Sequence, residues 1–165
     1  MPDAVYVLDA SVLIEAWNRY YAFDFAPVFW ETLGHCAQNG RVVSIDRVRD
    51  EIKQGKDELW DWAKHAFAPW FVSTDDDAII QHYGDVARWV QAQDQFTAAA
   101  KAAFHGGADG WLVACALNGG HVVVTQECSS PDAKKRAKIP DVCRAFGVPF
   151  MDTFRMLREL GVRWT

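Results

Sequence analysis

Five carboxylates in this chain are spaced so that a fold could gather them. Asp9 closes an apolar run, Glu51 lies in a short amphipathic segment, and Asp109 heads an apolar helical stretch. Glu127 and Asp141 follow a second apolar run. Asp109 is followed by Leu112, Val113, Ala116 and Leu117 at i+3, i+4, i+7 and i+8, which puts it on a core-facing stripe. A carboxylate there is unfavourable unless it is paired, hydrogen-bonded or bound to a cation. Glu51, three residues after Val48, is expected to flank the buried stripe of its own helix. Acids a few ångströms apart cannot all stay ionised in isolation, and one or two divalent cations with hard oxygen ligands resolve that repulsion. Taken singly, each acid has a simpler role as a helix cap, which suits Asp46 and Asp141 better than Asp9 or Asp109.

Their convergence depends on the elements that carry them. Val5-Tyr6-Val7-Leu8 is continuously apolar, as expected of a strand buried on both faces of a parallel sheet. Ser11 is expected to cap a helix through Val12, Ile14, Trp17 and Tyr21, and Pro27 to start a second that Asn39-Gly40 stops. Arg41 to Ile45 reads as strand two, followed by a helix capped by Asp46 and ending near Gly55. Helical patterns dominate positions 57 to 104, with a short extended piece at Trp70-Phe71-Val72, and Asp75-Asp76-Asp77 sits where negative charge favours a helix start. A helix from Asp109 to Asn118, a strand from His121 to Thr125, a helix from Pro140 to Gly147, a strand from Val148 to Met151 and a helix from Thr153 to Leu160 complete the pattern. Alternating strands and helices predict one α/β domain over residues 1–165: a three-layer α/β/α sandwich with a central, mostly parallel sheet. Strand C-termini and helix N-termini then share one edge, where Asp9, Glu51, Asp109, Glu127 and Asp141 could approach one another.

With 50% hydrophobic and 24% charged residues, the 165-residue chain reads as a soluble globular protein. No apolar run is long enough to span a bilayer and no signal-peptide pattern opens the chain, so a cytoplasmic location is expected. Cys36, Cys115, Cys128 and Cys143 form no CxxC pair and the five histidines no metal-ligand spacing, which favours reduced, buried thiols and argues against a structural zinc site. A net charge of −5 argues against a broad basic nucleic-acid-binding face unless cations add positive charge. Trp30, Trp60, Trp62 and Trp89 fall at helical spacings and read as core.

The pattern as a whole resembles the PIN-domain nucleases. Leu8-Asp9-Ala10-Ser11 is similar to their strand ending in Asp, with a small hydroxyl residue two positions on. Glu51 precedes Gly55 at the family spacing, Ala108-Asp109-Gly110-Trp111-Leu112 looks like the helix-opening Asp, and Val123-Val124-Thr125-Gln126-Glu127 like the strand ending in Thr with an acid soon after. Ile14 to Tyr21 and Ser44 to Val48 look like a bacterial PIN-like subfamily. Two departures stand out: Glu127 replaces the usual Asp, and the basic insertion Lys134-Lys135-Arg136-Ala137-Lys138 separates it from Asp141.

The resemblance implies metal-dependent hydrolysis of RNA, with Asp9, Glu51 and Asp109 holding Mg²⁺ or Mn²⁺ and either Glu127 or Asp141 completing the shell. Ser11 and Thr125 would orient ligands or water through their hydroxyls. Arg19, Lys134, Lys135 and Arg136 are candidates for gripping RNA phosphates. By analogy with bacterial members, the chain would be a toxin neutralised by a small antitoxin and would form a homodimer. A PIN-like RNA- or protein-binding module without catalysis is the alternative. Haloacid-dehalogenase-like phosphatases also begin with a strand ending in Asp, but they need a second Asp where this chain has Ser11.

Overall fold

A computed structural model describes residues 3–165. Its sheet has five strands, β1 (Tyr6–Leu8), β2 (Val42–Ile45), β3 (Phe71–Val72), β4 (Val122–Val124) and β5 (Phe150–Met151), in the order β3-β2-β1-β4-β5. Every pairing is parallel, with Tyr6 opposite both Val42 and Val122. The central strand is wholly buried, which explains its unbroken apolar run.

Nine α-helices accompany these strands among the described residues. Before β3 come α1 (Ala10–Glu15), α2 (Pro27–Gln38), α3 (Asp46–Lys53) and α4 (Glu58–Trp62). Between β3 and β4 lie α5 (Asp77–Ala92), α6 (Ala98–Gly106) and α7 (Asp109–Gly119), and α8 (Ile139–Phe146) and α9 (Thr153–Glu159) follow. The chain steps one way from β1 to β3, then crosses over β1 to β4 and β5. Right-handed crossovers therefore put α1–α4 on one face and α5–α8 on the other, giving the three-layer α/β/α fold expected. The loops leaving β1 and β4 diverge to opposite faces, and the gap between them is the switch point at which parallel sheets bind ligands.

Local chemistry sets the element ends. Asp76 accepts hydrogen bonds from the amides of Ala78 and Ile79, and Thr97 from Ala100. Gly120 and Gly147 end α7 and α8 in the left-handed conformation. Two expected caps work differently. The helix after β1 begins at Ala10, and the Ser11 hydroxyl turns back to Asp9 instead of capping. Asp46 accepts from the Thr74 amide and hydroxyl, tying α3 to the exit of β3. The helical stretches that follow β1 and α3 also break. Ala16–Tyr20 and Ala63–Phe67 widen into π-turns, the first closed by the Tyr21 amide on the Ala16 carbonyl while Tyr21 stacks on Phe29.

The sulfur atoms are free thiols, Cys115 and Cys143 buried and Cys36 half-buried, whereas Cys128 is exposed, contrary to a uniformly buried set. Burial pushes the Cys115 thiol up to about 11 and the Cys143 thiol up to about 12. No described helix is long and apolar enough to cross a membrane.

Gly110 shows how tightly the first turn of α7 is seated. A Cβ there would lie 2.9 Å from Tyr83 Cε2 and 3.0 Å from Phe104 Cε1. Tyr83 has little room to yield, because its ring is stacked on Trp111 at 3.9 Å and its hydroxyl donates to the His105 carbonyl. Alanine gains up to about 1 kcal/mol of helix propensity, while forced overpacking costs about 1–3 kcal/mol. Gly110→Ala is expected to lower the thermal midpoint by a few degrees. Calorimetry checks this, and an unchanged or raised midpoint would show that the Tyr83–Trp111 stack gives way freely.

Candidate active site

The C-terminal end of β1 places Asp9 at the switch point, 6% exposed. Its amide donates to the Val124 carbonyl, extending the β1–β4 ladder by one residue and fixing the backbone before the turn. Oδ2 accepts from the Ser11 hydroxyl at 2.6 Å and the Thr125 hydroxyl at 2.9 Å. Those hydroxyls in turn accept from the amides of Gln126 and Glu127. The loop leaving β4 is thereby bound to the loop leaving β1 through Asp9.

Gln126, which the sequence pattern gave no role, anchors the same loop. Its side-chain carbonyl accepts from the amide and hydroxyl of Thr153 at the start of α9. Glu127 then points inward with its side chain 10% exposed, and its Oε2 accepts from the Ile139 amide at 3.1 Å. Oε1 is buried without an aligned hydrogen bond, although Arg136 Nη2 comes within 2.5 Å as an ion pair.

Asp109 enters from the first turn of α7 with its side chain 24% exposed, and Arg136 Nη2 stands 3.8 Å from its Oδ2. Its carboxyl is pushed up to about 7, first by burial and then by the charges of Asp9, Glu127 and Glu51, against which the guanidinium of Arg136 works. Partial desolvation and then the charge of Asp9 likewise raise Glu51 and Glu127, with Arg136 opposing in both and the Ile139 amide and Lys138 opposing at Glu127. Asp109 thus feels the charge of three acids from three other segments. Among the described residues, however, no three acids, histidines or cysteines are grouped at ion-holding distance in this arrangement.

Three residues lie otherwise than the sequence pattern suggested. Asp141 does not join the four: its oxygens accept from the Ser129 hydroxyl at 2.5 Å and the Ser130 amide at 2.9 Å, and it pairs with Arg144. It closes the β4–α8 loop. Glu51 is exposed and does not flank the core, because the first turns of α3 open onto a groove. Arg19, exposed on the π-turn after α1, is not among the residues lining that groove.

The groove, of about 600 Å³, runs between α3, the C-terminal end of α6 and the basic insertion. Glu51 and Asp109 lie along it with Lys135 and Arg136, while Lys134 contributes its backbone carbonyl to the Thr97 amide. Arg47 also lines the groove, and sequence reading passed over it. Its guanidinium lies 3.9 Å above the Trp111 ring, which stacks on Tyr83, and its Nε donates to Thr74. The available signal was its position, one helical turn before Glu51 and on the same face.

A family model described as "Domain of unknown function (DUF4411)" matches residues 6–164, nearly the whole chain. The chain belongs to the DUF4411 family. No curated protein matches this DUF4411 chain. Among solved structures, it is similar to VapBC2 from Rickettsia felis bound to a DNA fragment from its promoter, at 14% identity and a TM-score of 0.55, covering 90% of this chain and 98% of the other. FitAcB from Neisseria gonorrhoeae is similar at 16% identity and a TM-score of 0.55, covering 89% and 96%. At such identities the likeness concerns architecture, and it shows the PIN-like fold expected from the sequence pattern.

Proposed function

We propose that this chain is a divalent-cation-dependent endoribonuclease in which Asp9, Glu51, Asp109 and Glu127 hold Mg²⁺ or Mn²⁺. The observation that carries the reading is that four acids from four segments face the C-terminal edge of the sheet, with Asp109 pushed up to about 7 by burial and by the charges of Asp9, Glu127 and Glu51. The donor set fits the group. It consists of hard carboxylate oxygens, and one of them, Glu127 Oε1, is buried with only the ion-paired Arg136 guanidinium against it and no aligned hydrogen bond. When bound, such an ion lowers the pKa of a coordinated water and offsets charge on the scissile phosphate.

The chain's own residues supply the rest. Ser11 and Thr125 hold the Asp9 carboxylate in one orientation. Arg47, Lys135 and Arg136 give the groove cationic groups that can meet a phosphodiester backbone. Asp141 keeps the loop bearing Glu127 in place and takes no part in holding the ion. Architecture alone extends the reading to a toxin with a small antitoxin partner and a homodimeric assembly.

The test is cleavage of single-stranded RNA by the purified chain. Hydrolysis is expected with Mn²⁺, with none in chelator and recovery when Mn²⁺ is restored. A chain that binds RNA but leaves it whole in Mn²⁺ would instead be a binding module, and the nuclease reading would fall.

A further inference from the structure

Arg136 sits where a bound cation would have to act. It contacts Glu127 Oε1 at 2.5 Å and Asp109 Oδ2 at 3.8 Å, and it opposes the upward shift of three of the four acids. Resting on the nuclease reading above, we infer that Arg136 is a built-in counter-ion that competes with the divalent cation for Glu127 and Asp109 and releases them when an RNA phosphate takes the guanidinium.

The backbone around Arg136 is pinned. The Lys134 carbonyl accepts from the Thr97 amide, Gln95 donates to the carbonyls of Pro131 and Ala133, Ala137 is buried, and the Ile139 amide is held by Glu127 itself. The guanidinium is therefore delivered to the acids by the fold, not by a wandering loop. Its side chain is nonetheless 59% exposed and makes no aligned hydrogen bond to Oε1, so it can swing without disturbing that backbone. The acids it touches are far less exposed than it is, and the groove into which it can swing is the one lined by Arg47 and Lys135.

Phosphate offers a guanidinium a bidentate partner with two parallel hydrogen bonds, a better match than the misaligned contact to Glu127. Once Arg136 turns to phosphate, Glu127 and Asp109 lose their ion-pair partner, and their repulsion favours a cation. Cation and RNA then promote each other's binding, and linkage makes that effect reciprocal.

The experiment is a Mn²⁺ titration of the intact chain, read by the electron-spin-resonance signal of free Mn²⁺. It compares wild type with Arg136→Gln and Arg136→Lys, with and without a 2′-O-methyl RNA decamer confirmed to stay intact. Without RNA, Arg136→Gln is expected to bind Mn²⁺ about 5- to 10-fold tighter than wild type, within the usual range of coupling between sites. Arg136→Lys, a point charge without the fork, should fall between. The decamer should tighten Mn²⁺ binding by wild type and leave Arg136→Gln unchanged. Equal or weaker Mn²⁺ affinity in Arg136→Gln, or an equal effect of the decamer on both proteins, overturns the inference and leaves the nuclease reading standing. Failure of wild type and both variants to bind Mn²⁺ removes the nuclease reading and this inference together. Thermal midpoints confirm that the variants are folded, as expected for an exposed side chain.

Discussion

Asp9→Asn is expected to reduce Mn²⁺-dependent RNA cleavage by on the order of 10³-fold, the several kcal/mol that a bound cation supplies to a hydrolytic transition state. Asparagine fits the same space and can still accept from Ser11 and Thr125, but it lacks the charge that would hold the ion at the switch point. Ser11→Ala and Thr125→Ala remove only the orienting hydroxyls and should each lose about 10- to 100-fold, as outer-shell changes do. Single-turnover cleavage under saturating Mn²⁺ gives the ordering. If Asp9→Asn retained most of the activity while Ser11→Ala lost it, the nucleophile would have to be sought at the hydroxyls and the cation mechanism abandoned.

The second large effect is on stability. Asp109 is held near 7 in the folded protein against an ordinary value of 3.8, so the folded state accepts its proton more readily than the unfolded chain does. Stability therefore falls as pH rises from about 4 to about 7 and levels off above. At pH 8 the ionised group withholds on the order of 2–4 kcal/mol, the lower figure allowing for solvent at its exposed edge. Asp109→Asn removes that repulsion along with the pairing to Arg136. In chelator at pH 8 the variant should melt roughly 5–15 °C above wild type, and the advantage should vanish toward pH 4. Mn²⁺ should raise the wild-type midpoint and leave the variant nearly unmoved. A variant less stable than wild type at pH 8 would mean that Arg136 already neutralises the cluster and no repulsion remains for a cation to relieve.

The strands and the three-layer arrangement were legible because buried parallel strands must be continuously apolar, as Tyr6 to Leu8 and Val122 to Val124 are, whereas the order of the strands in the sheet was not. Asp109 was legible for a related reason: helical periodicity placed it over Leu112, Val113 and Ala116, which are buried. Glu51 misled because its helix is short and its first turns border the groove, so flanking an apolar stripe did not mean burial. The choice between Glu127 and Asp141 lay beyond spacing, since it turns on which of them the β4–α8 loop points inward. That is decided by Ser129, Ser130 and the Ile139 amide, contacts that exist only once the loop has closed. Arg136 read as one basic residue in a run of four. Its ion pairs with Glu127 and Asp109, formed only in the fold, distinguish it from Lys134 and Lys135.

The register of β1 between β2 and β4 bears on how the protein is made. Asp9 and the Thr125 hydroxyl that orients it are 116 residues apart in the chain. At roughly 5–20 residues per second of synthesis, about 6–23 s separate their emergence from the ribosome. Through that interval the nascent chain carries Asp9 without the Thr125 hydroxyl, and pairing across so long a separation is slow even after release. Under the proposed nuclease function, hydrolytic capacity would then be withheld from every incomplete product, so a chain broken off before residue 125 would spare the messenger it was being read from.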